Sequence, residues 1–99
     1  SAEQELPTDF VLQQNYPNPF NASTRIRYRV GHAGPVLLAV YDLTGQSIRI
    51  LVDRFHAPGE HTAPWDGRND AGQPVASGVY VFRLQAGPQS LERQLVHLK

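Results

Sequence analysis

From Thr24 to Val30 the chain reads TRIRYRV. Ile26, Tyr28 and Val30 fall on one side and Arg25, Arg27 and Arg29 on the other, the period-two alternation of a half-buried β-strand. The same period recurs along most of the chain, and no segment carries the 3.6-residue spacing of an amphipathic helix. GVYVFRLQ (Gly78 to Gln85) sets Tyr80, Phe82 and Leu84 against Val79 and Val81. PVLLAVYD (Pro35 to Asp42) is apolar on both faces, as a central strand would be. SIRILVD predicts Ile48, Ile50 and Val52 in phase on one face, with Leu51 off phase. HTAPW puts His61, Ala63 and Trp65 on one face. Pro64 has no N–H to give a ladder, so this strand belongs at an edge or carries a bulge.

A short strand over Phe10 to Gln14 and a closing one within SLERQLVHLK bring the expected number to seven. Between them lie GHAG, LTGQ, APGEH, WDGRNDAGQPVASG and AGPQ, all rich in turn formers. Short strands at a spacing of roughly 8–12 residues predict an all-β chain. The expected architecture is an Ig-like antiparallel β-sandwich with Greek-key connections.

At 99 residues the chain is one domain's worth. Nine Lys and Arg balance nine Asp and Glu, which argues against a general binder of nucleic acid or anionic membrane. There is no cysteine, hence no disulfide framework and no thiolate site. No apolar run approaches the roughly 18 residues that would span a bilayer. Residue 1 is not methionine, and SAEQELPT (Ser1 to Thr8) is polar, without the apolar stretch of a signal peptide. Residues 1–8 therefore read as a linker remnant and residues 9–99 as one folded domain. That domain is expected to be cut from a longer protein, with Lys99 a candidate C-terminus.

LQQNYPNPFNAST (Leu12 to Thr24) holds two prolines, three asparagines and two aromatics, and no charge. Pro17 and Pro19 bias Tyr16 and Asn18 toward extended conformations, and neither proline offers an N–H. The segment cannot sit inside a ladder and must wrap an edge or an end of the sheets. Tyr16 and Phe20 are its expected anchors in the core. A sugar- or peptide-binding lip built from the same two rings is the functional alternative.

QNYPNPFN, VYDLTG, the Trp-Asp-Gly turn, ASGVY and a basic-apolar last strand follow one another in order. Together they make the chain resemble the type A C-terminal sorting domain of type IX secretion cargo, a pattern that also looks related to the Ig-like domain of flagellar hook-capping proteins. The resemblance runs from about Phe10 to Lys99. It implies a non-catalytic β-sandwich at the end of a larger Gram-negative exported protein. The implied partners are the outer-membrane translocon, a surface sortase-like peptidase and cargo domains earlier in the chain. The implied location is the periplasm in transit and then the cell surface or medium. Arg93 stands where type A domains usually have a lysine opening the final apolar strand. The recognition residues suggested by the resemblance are Tyr16, Pro17, Asn18, Pro19 and Phe20 with Arg93, Leu95, Val96, Leu98 and Lys99. The terminal strand LVHLK either completes the sandwich or offers its edge to a partner's sheet.

Other chemistry is sparse. Asp66, Asn69 and Asp70 in WDGRNDAG could give oxygens to calcium, though the spacing is not that of an EF-hand loop, and Asp and Asn also favour turns for backbone reasons. Apart from that calcium candidate no cofactor is expected. The four histidines form no HxH or HExxH pair, and neither a nucleophile elbow nor a Gly-rich phosphate loop occurs. Ser77, His61 and Asp66 have no triad-like spacing, so no catalytic residue is assigned. The arginines at 25, 27 and 29 make a solvated face that discourages edge pairing, or a dock for an acidic partner. Trp65 is a core anchor or, with Tyr41, a sugar-stacking platform. That last reading would make the chain a carbohydrate-binding module of an exported glycoside hydrolase. A structural Ig-like spacer is the third reading.

Overall fold

A computed structural model of the chain describes residues 10–99, and the linker expected over residues 1–8 lies outside them. Seven strands form: β1 (Val11–Leu12), β2 (Thr24–Val30), β3 (Gly34–Tyr41), β4 (Ser47–His56), β5 (Gly59–Trp65), β6 (Gly78–Ala86) and β7 (Gln89–His97). They make a three-stranded sheet of order β1-β2-β5 and a four-stranded sheet of order β4-β3-β6-β7, with every pairing antiparallel. The result is an Ig-like sandwich with Greek-key connections, as the strand spacing predicts.

Alternation works as expected in β2, where Ile26, Tyr28 and Val30 are buried and the three arginines are exposed. They pack against Val36, Leu38 and Val40 of β3 and Phe82 and Leu84 of β6 from the facing sheet. Pro64 lies on β5, an edge strand. GHAG and APGEH, by contrast, carry the chain from one sheet to the other. The Asp42–Gln46 turn and the two-residue Gly87–Pro88 turn close tight hairpins, joining β3 to β4 and β6 to β7.

The phase expected for β4 needs correcting. Its pairing with β3 slips at Leu38/Ala39 and again at Val40/Tyr41, so that Val52 pairs Leu38 while Ile50 pairs Ala39. Each bulge adds a residue and turns the side chains that follow to the other face. Ile48, Leu51 and Val52 therefore pack on the core, and Ile50 is exposed.

One end of the sandwich gathers the starts of β2, β4 and β6 and the ends of β3, β5 and β7. Segments 13–23, 42–46 and 66–77 and residues 98–99 all meet there. We call this the motif pole.

Candidate functional site

The segment between β1 and β2, which share one sheet, reaches across to β7 of the facing sheet and returns at the motif pole. Tyr16 exchanges both backbone hydrogen bonds with Arg25 of β2, at 2.9 and 3.0 Å. Four residues on, Phe20 donates its N–H to Val96 O (3.0 Å) and accepts that of Leu98 (2.9 Å). The prolines explain why the bonding residues are Tyr16 and Phe20, because positions 17 and 19 have no N–H to give. Both X-Pro bonds in this stretch are cis.

Side chains complete the clip. Asn15 is buried and donates to Pro17 O (3.1 Å) and Thr24 Oγ1 (3.0 Å). Asn18 Oδ1 accepts the N–H of Val96 at 2.9 Å, and Gln14 Nε2 donates to Gln94 O at 2.7 Å. The outer edge of β7 from Gln94 to Leu98 is thus engaged within the chain. Of the two roles open to LVHLK, that stretch of edge serves the sandwich itself.

Phe20 is the clip's anchor: 2% exposed, its ring lies 5.4 Å from Trp65 and 4.8 Å from His97, centroid to centroid. Tyr16 is not an anchor, being 76% exposed. Its backbone bridge to β2 turns the ring outward. Trp65 is 1% exposed, packs against Tyr80 and donates its indole N–H to Arg68 O at 2.9 Å. It cannot present a face to sugar, so the stacking platform expected of it is absent. Tyr41 is half-buried under the Arg83 guanidinium, 4.7 Å from its centroid.

The last strand is held from several sides. Leu95 is fully buried, Val96 half-buried, and Leu98 and Lys99 are exposed. The Lys99 N–H donates to Ser77 Oγ at 2.8 Å. Arg93 pairs with core-facing Phe82, which places it on the inward row of β7, and its Nε donates to Leu12 O of β1 at 2.6 Å. The residue stays exposed at the margin of the sandwich, where this bond ties the two sheets together. Gly67 makes room for the end of β7: at φ +73, a Cβ there would meet His97 Nε2 at 2.9 Å.

The WDGRND loop does for β4 what the clip does for β7. Asp70 donates its N–H to Ile48 O (3.0 Å), and its Oδ1 accepts the N–H of Ile50 (3.1 Å). Asn69 Oδ1 accepts the N–H groups of Ala71 and Gln73. Asp66 Oδ1 accepts that of Arg68 and one from the Arg49 guanidinium, at 3.1 Å each. The oxygens proposed for calcium thus face backbone donors and a resident cation. Among the described residues no group of three or more His, Cys, Asp or Glu is placed to hold a metal.

Two titrating groups are shifted at the motif pole. The Asp42 carboxyl is held below its usual range by the Thr44 hydroxyl and the Gln46 and Thr44 N–H groups of its turn. Burial, with the Asp42 charge nearby, raises the Tyr80 phenol, which donates to Ala76 O at 2.7 Å. At the other end His56 and His61, which flank one turn and from sequence could meet across it, do come together, and Tyr28 is the member that sequence reasoning missed. There His56 is buried, its Nε2 lies 2.7 Å from the Tyr28 hydroxyl, and its ring lies 3.9 Å from that of His61.

The sequence model of a family described as the FlgD Ig-like domain matches residues 21–90. No curated protein sequence matches the chain. Among solved structures, dimeric latent PorU from Porphyromonas gingivalis is similar with a TM-score of 0.69 at 19% identity, over 90% of this chain and 9% of that one. PorZ of the same organism, described as an essential bacterial surface component of the type IX secretion system, gives 0.56 at 23% identity, over 91% of this chain and 11% of that one. FlgD from Xanthomonas campestris, described through hook capping in flagellar assembly, gives 0.61 at 22% identity, over 90% of this chain and 67% of that one. The chain therefore spans only a small part of the two Porphyromonas proteins.

Proposed function

The chain belongs to the FlgD Ig-like domain family, and from that premise we propose that it is a non-catalytic sorting domain that directs an attached exported protein through a type IX secretion system. The observation that carries this reading is convergence. QNYPNPFN, VYDLTG, the Trp-Asp-Gly turn, ASGVY and the last strand are scattered over more than 80 residues, yet they meet at one pole. Phe20, Trp65, Tyr80 and His97 pack there as one aromatic cluster. A folded export signal needs such a shape-defined surface and no reactive centre. The fold likeness to PorZ, a type IX component, supports the reading.

In this reading the translocon contacts the exposed parts of the pole, namely Tyr16, Pro17, Asn18, Pro19, Leu98 and Lys99. Phe20, Leu95 and Arg93 act by holding that surface in shape. A surface peptidase would then act on the segment before Phe10. The route leads through the periplasm to the cell surface or medium. No helix among the described residues is long and apolar enough to cross a membrane.

The test is transfer of the signal. The chain is fused behind a fluorescent reporter with an ordinary signal peptide, in a host with a type IX system and in its translocon-null counterpart. Reporter at the surface or in the medium of the intact strain alone is expected. Folded reporter trapped in the periplasm of both strains would sink the reading. It would favour the structural role suggested by the flagellar relatives, for which self-association or filament binding is the readout.

A further inference from the structure

We propose that the outer face of the three-stranded sheet is a docking surface for an extended acidic polypeptide segment, with Arg25 and Arg27 receiving its carboxylates and Tyr16 an apolar neighbour. The inference stands on this face alone and does not rest on the export reading.

A shallow groove runs along β2 between Gln13 and Tyr16 on one side and Thr62 on the other, floored by Arg25 and Arg27. It continues past Arg29 and Glu60. Arg29 is neutralised there by Glu60 at 3.9 Å. Among the described residues that is the one ion pair on this face, and Arg25 and Arg27 have no carboxylate partner. Elsewhere Arg49 is paired with Asp66 and Asp70, Arg68 with Asp66 and Arg83 with Glu92; among the described residues Arg54 and Arg93 also lack a carboxylate, but only Arg25 and Arg27 stand side by side on one strand face. Residues 10–99 hold nine Lys and Arg against six Asp and Glu, and among the described residues Glu60 is the one carboxylate on β1, β2 or β5, which leaves this face positive.

Spacing and chemistry point to the ligand. Arg25 and Arg27 are two residues apart on a strand, roughly 6.6 Å, which is also the repeat of same-side side chains on any extended peptide. Guanidinium groups match carboxylates two bonds at a time, which lysine cannot do. Tyr16 sits directly across from Arg25. Within its motif Asn15, Asn18 and Phe20 all have structural work, whereas the Tyr16 ring is left in solvent beside two cations. A membrane surface would call for a broad basic field, and Glu60 on the same face breaks it.

The experiment is a titration of the whole chain with a labelled peptide of alternating glutamate and valine, followed by anisotropy at several salt concentrations and by amide NMR shifts. Binding at low salt is expected, with shifts centred on Gln13, Tyr16, Arg25, Arg27 and Thr62. R25Q/R27Q should weaken it about tenfold and flatten the salt dependence. Y16A should weaken it with the salt dependence unchanged, and R54Q on the other sheet should leave it unaltered. Dispersed amide spectra would verify that each variant is folded. Absence of binding, equal loss in R54Q, or tighter binding of polygalacturonate or anionic vesicles at the same residues would each overturn the proposal.

Discussion

Asn18 Oδ1 accepts the backbone N–H of Val96 at 2.9 Å, across 78 residues of chain. Asp70 Oδ1 does the same for Ile50 at the opposite edge of the four-stranded sheet, at 3.1 Å. In each case a side-chain oxygen takes the place of a strand carbonyl, so each edge of this sheet is capped from within over the stretch at the motif pole. Unpaired edges are templates for aggregation, and these two contacts remove part of that template.

Asn18→Ala should lower stability by about 1 kcal/mol, the net worth of one hydrogen bond in a partly exposed site. Phe20→Ala should cost about 3–5 kcal/mol, because it empties the centre of an aromatic cluster. Tyr16→Ala should change stability by less than about 0.5 kcal/mol. Urea midpoints at constant slope would rank the three. A large loss in Tyr16→Ala would mean that its ring is an anchor after all.

Asp70→Ala removes the acceptor for Ile50 and bares the β4 edge, whereas Asp70→Asn keeps an oxygen there. The alanine variant is expected to self-associate at concentrations where the asparagine variant stays dispersed, as light scattering would show. Millimolar calcium, or its removal with chelator, should leave the melting temperature of the original chain unchanged. A rise with calcium would show that the Asp66, Asn69 and Asp70 oxygens can exchange Arg49 and backbone donors for a metal.

Gly67→Ala should destabilise by more than about 1 kcal/mol, from both the positive φ and the encounter with His97. Pairing it with His97→Ala, which removes the ring, should recover part of the loss. Strictly additive losses in the double variant would put the whole cost on the backbone.

His56 is held below its ordinary pKa by burial first, then by the neighbouring His61 and Arg54 charges. Below about pH 6.5 the unfolded chain takes up a proton that the folded one resists. His56 therefore contributes fully above that pH, and its contribution is lost as the pH falls through the folded-state pKa. His56→Gln, which can still bond the Tyr28 hydroxyl, should flatten the stability profile between about pH 7 and 5. The lowered Asp42 carboxyl also favours the folded state, but its contribution is lost at more acid pH, below the ordinary carboxylate range. The two windows are separable by urea unfolding at stepped pH. An unchanged slope in His56→Gln would assign the first window to another group.

Trp65 should emit as a buried indole and resist acrylamide quenching, and oligosaccharides should not alter its emission. Quenching by a sugar would restore the binding-module reading that its burial now opposes.

Sequence alone determined the strands, because a period of two is written in side-chain polarity and needs no partner to be read. It carried the burial pattern of β2, the edge or bulge that Pro64 demands, and the want of an N–H at Pro17 and Pro19. It also supplied the family motifs in order. It could not say that GHAG and APGEH cross between sheets, since a turn's composition does not record where the next strand pairs. Nor could it place the β4 bulges, whose register is set by β3, or show that Phe20 is buried while Tyr16 faces solvent. That Asn18 meets Val96, Asp70 meets Ile50 and Arg93 reaches Leu12 was decided only when the two sheets packed. Contacts between residues far apart in the chain have no local signature, and closing them is what the tertiary fold does.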